Sequence, residues 1–259
     1  MADFALDSAL RAARGDIPGV STINKFGRNP DCDQAASLTA VVLGRDIWDG
    51  GIAGADIWVP PTAARIHQLA SSSAEDGAGG TTGMLTCRVS GLDADYVLQH
   101  QELTLNGTTD VPTLAYTMIH RIKGLTFGSA GRNLGDIEAT ADDDSTVTAK
   151  VSINNNQTLM AIFQIPVNHR GFMPSWNAEL HKTGGAATFA DVFLMSMEFG
   201  AGWRVRDSMA LSTDGVGSLQ KRFQPYKVFQ PKEYVKVVAN PSKDAQDVGA
   251  GFDLYLVKV

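Results

Sequence analysis

ATFADVFLMSMEF, residues 187–199, is apolar on both faces of an extended strand: Val192 and Leu194 alternate with Phe193, Met195, Met197 and Phe199. A half-exposed antiparallel strand shows water one polar face, so this pattern predicts a strand covered twice, by a core and by an arm or another subunit. Around it run TVTAKVSI, TLMAIFQIPV, RGFMPSWNAELHK, WRVRDSMAL, QKRFQPYKVF, EYVKVVAN and GFDLYLVKV, separated by turn formers and by no helical interval of three turns. That spacing predicts a mainly β fold, an antiparallel β-sandwich of jelly-roll-like type, over residues 149–259. The last run alternates Phe252, Leu254 and Leu256 with Asp253, Tyr255 and Val257, and should be an ordered strand.

Upstream, residues 56–148 read as a first β-rich domain. Leu85, Cys87 and Val89 fall on one face of MLTCRVSGL, and Met84, Thr86 and Arg88 on the other. Asn106-Gly107 predicts a type I′ hairpin that sets the runs before and after it side by side. The polar stretch Ser71 to Gly83 and the acidic turn Ala141 to Thr146 are expected at the surface. No crossover helices are visible, which excludes Rossmann and TIM-barrel scaffolds.

Residues 1–55 carry a short helical pattern over 2–15, then Asn29-Pro30 and Gly50-Gly51 with little periodicity. Phe26, Ile47 and Trp48 make this segment too apolar for a disordered tail, so it is read as an extended arm ordered against a neighbouring subunit. The interface candidates are Phe26, Ile47, Trp48, Phe193, Met195, Met197 and Trp203.

The chain has 259 residues, enough for a core without disulfides or metal, and 22 Lys plus Arg against 28 Asp plus Glu give a net charge of -6. Broad nucleic-acid binding is not expected. Its two cysteines, Cys32 and Cys87, lack metal or disulfide spacing and read as free thiols. There is neither a secretory signal nor an apolar run of about 18 residues, so the chain reads as soluble and made in the cytoplasm.

Chemistry leaves few traces. His67, His100, His120, His169 and His181 are dispersed without metal-site spacing. Asp191, Glu198 and Asp207 are the carboxylates a glycosidase would need, but nothing in their spacing sets the separation such a pair requires. No nucleophile elbow, P-loop or dinucleotide fingerprint occurs, and Gly184-Gly185 reads as a hairpin turn. No catalytic, cofactor-binding or metal residue is assigned, and no cofactor is expected. Trp176, Trp203, Tyr226, Tyr234 and Tyr255 keep a glycan-binding module as an alternative. Arg204 and Arg206 share a face opposite Val205, suited to a salt bridge.

The blocks INKFGRNPDCD, DIWDGG, GLDADY, ELTLNGTTDV, NLGDIEAT, NNNQTLMAIFQIP, GWRVRDSMAL and GAGFDLYLVKV resemble a family of tailed-bacteriophage virion structural proteins, from about Ile23 to Val259. The resemblance implies a place in a virion assembled in host cytoplasm and no catalytic residue. With the apolar arm it leads to a capsid cement or decoration protein. Its partners would be the major capsid protein and copies of itself in a small symmetric oligomer such as a trimer, with a tail, collar or fibre role as the alternative.

Overall fold

The computed structural model describes all residues except 1–10, 13, 36–42, 50–56, 81 and 182–187. Its strands begin with β1 (Val20–Cys32), β2 (Arg45–Asp46), β3 (His67–Ser71), β4 (Met84–Leu92), β5 (Leu98–Thr104), β6 (Val111–Pro112), β7 (Met118–Phe127) and β8 (Ile137–Ala141). They continue with β9 (Val147–Val151), β10 (Ile162–Gln164), β11 (His169–His181), β12 (Phe189–Met197), β13 (Arg204–Ser212), β14 (Ser218–Phe229), β15 (Tyr234–Pro241) and β16 (Gln246–Lys258).

These strands form four separate antiparallel sheets. The first runs β1-β16-β11-β14, and the second β10-β15-β12-β13 with β2 added on β15. The third runs β6-β3-β8-β9, and the fourth β5-β4-β7. The expected two-domain β-sandwich of jelly-roll-like type is corrected to this four-sheet arrangement. Four is the blade count of a four-bladed β-propeller, although the first two sheets here gather strands from distant parts of the chain. Short alternating runs between turns report strands, not which strands pair, and so left the architecture undetermined.

The described strands also pair across residues 55 and 148. Instead of an arm reaching to a neighbour, β1 lies along the C-terminal strand β16, with Ile23 opposite Leu254 and Lys25 opposite Phe252. Gly27 permits a close crossing there, since a Cβ would collide with the Ile47 carbonyl and the Ala161 amide. The sheets expected within 149–259 thus take β1 and β2 from residues 20–46. The helical pattern over 2–15 lies largely outside the described residues, of which only 11 and 12 are helical. The Gly50-Gly51 and Gly184-Gly185 turns lie outside them.

Burial explains the cohesion. Met173, Trp176, Phe252 and Leu254 of the first sheet share one cluster with Phe163, Val192, Leu194 and Val237 of the second. Leu69, Ile137 and Val151 of the third share another with Cys87, Val89 and Ile122 of the fourth. A bridging cluster of Trp48, Trp58, Met118, Met160, Ile162 and Tyr234 ties the halves together. Full burial of each such side chain is worth roughly 1.5–3 kcal/mol.

The Asn106-Gly107 turn closes a tight antiparallel bridge from Asn106 to Thr109, but the runs beyond it part, β5 pairing with β4 and β6 with β3. Gly107 has a φ of 61°, but its amide donates to the Asp76 carbonyl and Asn106 bridges Gly77. The stretch 71–83 therefore dictates the turn.

Candidate functional site

The edge of β1 away from β16, which no other described strand pairs, faces the outer side of the fourth sheet across a cleft of about 360 Å³. One wall is residues 21–25. The other carries His100, Ser90 and Arg121, which lie in register across β5, β4 and β7. His100 Nδ1 and Ser90 Oγ are 2.9 Å apart, and Arg121 donates to the Asn24 carbonyl at 2.8 Å.

A β-bulge shapes this wall. Ser90 pairs with Arg121 and Gly91 with Ile119, leaving His120 without an opposite residue on β4. Such an extra residue re-aims its neighbours. The strands also approach closely at Gly91, where a Cβ would strike the Met118 carbonyl and the Tyr116 ring. Both His120 and Arg121 consequently line the cleft, and the His120 ring packs 4.2 Å from that of Phe163.

Lys25 occupies a position where its strand neighbours point into the protein, and it is 2% exposed. Its ammonium donates to the His120 carbonyl at 2.6 Å, and no carboxylate pairs with it among the described residues. Burial, then the nearby Arg121 charge, holds its pKa well below 10.5. His120 is 4% exposed, and its Nε2 has no hydrogen-bond partner among the described residues. Burial first, then the charges of Lys25, His100 and Arg121, keeps this imidazole well below 6.5. Every charged or titratable group lining the cleft is a cation or a potential one. An ammonium with unused donors, a guanidinium and a free imidazole nitrogen suit an oxyanion.

Most of the sequence-chosen interface residues lie elsewhere. Ile47, Trp48 and Met195 are buried by their own chain, Phe193 is half-buried, and Met197 and Trp203 pack on the bridging aromatic cluster. Phe26 alone is exposed beside the cleft, under the Arg121 guanidinium at 5.8 Å. The apolar excess assigned to neighbouring subunits is thus largely covered internally.

The carboxylates do not assemble either. Asp207 accepts from Trp176 and Lys221, Glu198 pairs with Arg204, and Asp191 is exposed on β12. Arg206 meets the buried Glu233 at 3.3 Å, so both arginines find their salt bridges within the chain. Among the described residues no group of three or more His, Cys, Asp or Glu is placed to hold a metal ion. Cys32 and Cys87 are buried, and burial pushes the Cys87 thiol up to about 12. Trp176 and Tyr234 are buried, so the five aromatics form no common glycan-facing groove.

Sequence reasoning missed Lys25 and Arg121 entirely. The available signal was the alternation Ile23, Lys25, Gly27, but placing this stretch in an arm concealed its inward-facing positions.

No protein-family model matches this chain, and no curated protein does. Among solved structures, the VP2 subviral particle of infectious bursal disease virus is similar at 10% identity, covering 93% of this chain and 73% of that one, with a TM-score of 0.23. The Gx strain of the same virus gives 10% identity, 93% and 70% coverage, and a TM-score of 0.22. Likenesses this distant determine neither fold nor function. No family model or curated protein carries the resemblance to tailed-phage virion proteins, and it is withdrawn. With it and the four-sheet architecture fall the capsid cement, decoration, tail and glycan-module readings.

Proposed function

We propose that this protein works without catalysis, as a binding module that captures an anionic group in the cleft between β1 and the fourth sheet. The observation carrying this reading is the buried Lys25 ammonium, held by one backbone carbonyl and faced by Arg121 and the unpartnered His120 Nε2. A buried cation with one neutral acceptor is under-satisfied, and an incoming oxyanion supplies the missing charge and acceptors.

Calorimetric titration with inorganic phosphate and with free glutamate at low salt tests it. Saturable binding by the natural protein is expected, weakened about tenfold or more in Lys25→Met, which corresponds to at least about 1.4 kcal/mol. Absence of saturable binding to either anion, or equal binding by the variant, overturns the reading.

A further inference from the structure

The cleft is bounded on one side by five consecutive residues of an edge strand, 21–25, rather than by scattered side chains. The Asn24 carbonyl receives the Arg121 guanidinium and the Phe26 carbonyl receives the Met160 amide, so both carbonyls point away from β16. The Gly19 carbonyl, of opposite parity, receives the Lys258 amide from the β16 side. Backbone direction alternates along a strand, so the Thr22 amide and carbonyl and the Asn24 amide also face the cleft.

We infer that the cleft binds an extended acidic peptide segment, which adds a strand to the free edge of β1 and sets a carboxylate side chain against Lys25, His120 and Arg121. This inference rests on the anion-binding reading above and names the carrier of the anion.

Strand addition draws affinity from main-chain hydrogen bonds and specificity from alternate side chains. In a strand paired with β1, a residue opposite Thr22 projects to the same side as Thr22. Its neighbours project to the side of Ile23 and Lys25. A segment alternating acidic and apolar residues therefore directs its acids inward and its apolar side chains outward, toward exposed Phe26. Arg121, already bonded to the Asn24 carbonyl, marks where free pairing along this edge stops. The fourth sheet forms the opposite wall of the cleft along this edge, which distinguishes this site from an open edge prone to aggregation.

The test uses the full chain and a fluorescein-labelled short peptide alternating glutamate and valine, read by fluorescence anisotropy. Its comparators are free glutamate, the same peptide N-methylated at alternate amides, and the peptide with lysine in place of glutamate. The acidic peptide should bind at least about tenfold tighter than free glutamate. N-methylation on the pairing side should abolish that gain, and the lysine peptide should not bind.

Thr22→Pro removes an edge donor without touching the ladder to β16, a change edge strands tolerate. It should unfold at the same urea midpoint as the natural protein and lose the peptide gain. If the variant misfolds, the N-methylated peptide on the natural protein decides alone. Peptide binding no tighter than free glutamate, or indifferent to N-methylation, overturns strand addition and leaves the anion site standing. No binding of peptide, glutamate or phosphate overturns both.

Discussion

Asp76 and Lys25 are both charged residues shut away from water, and their surroundings treat them in opposite ways. The Asp76 carboxylate, 0% exposed, accepts from the Ser71 hydroxyl at 2.7 Å and from the amides of Met84, Leu134 and Gly135 at 2.8–3.0 Å. Its lone pairs are fully used in fastening the stretch 71–83 to the segment before β8. Lys25 has one carbonyl and no counterion among the described residues. A buried charge whose valence is filled holds structure together, whereas one left partly unfilled is a cost the fold carries for a ligand. A separate buried pair supports the rule: Lys236 and Asp46, at 2.7 Å, neutralise each other, and the Trp58 amide takes the second Asp46 oxygen.

The contrast breaks most visibly at Asp76. Asp76→Ala strands four donors in the interior at about 1 kcal/mol each, so a loss of about 4 kcal/mol is expected from urea unfolding. Asp76→Asn, which turns an amide group toward donors, should recover little of it. A loss below about 1 kcal/mol for the alanine variant would mean that water fills the site and that valence does not separate the two residues.

His67 sharpens the comparison, because it satisfies burial by remaining neutral. It is 1% exposed, and burial, aided by the Arg65 charge and only partly opposed by a backbone hydrogen bond to Arg65, pushes its pKa down to about 4. Below an unfolded value near 6.5 the unfolded chain binds a proton that the folded chain refuses. Stability is therefore whole above about pH 6.5 and falls as pH drops toward 4. At pH 4.5 the penalty from His67 is about 2.5 kcal/mol. Urea unfolding of His67→Leu at pH 7 and 4.5 should show a smaller acid loss than the natural protein by that amount. Equal acid losses would show that the ring finds a partner when protonated.

Much of the strand content was legible and the pairing was not. GFDLYLVKV reads as a strand and is one, because its alternation is local: Phe252, Leu254 and Leu256 are buried while Asp253, Tyr255 and Val257 are half-exposed. INKFGRNPDC is also a strand, but Lys25 and Asn29 occupy its inward positions and blur the alternation that announces one. SSSAEDGAGGTTG looks like solvent-facing loop by composition, and only the fold reveals Asp76 at its centre. The cleft was the least legible of all. It depends on a bulge at His120 and on a sheet that brings residue 25 to residue 120, and no local pattern encodes a register shift between distant strands.

The smallest expected effect is the most discriminating, because its sign differs from an ordinary core mutation. Lys25→Met keeps the aliphatic stem and deletes the ammonium, so it should stabilise the unliganded protein at pH 7 by about 1 kcal/mol. The folded pKa of Lys25 lies below the unfolded value near 10.4. Between the two the unfolded chain binds more protons, and the contribution of Lys25 to stability rises with pH. That rise should be missing in the variant when urea unfolding is compared at pH 7 and 10. Phosphate should stabilise the natural protein in proportion to the logarithm of its concentration, and the variant only at concentrations about tenfold higher or more. A variant that is less stable than the natural protein at pH 7 would place Lys25 with Asp76 as a structural charge, and the distinction between the two sites would fail.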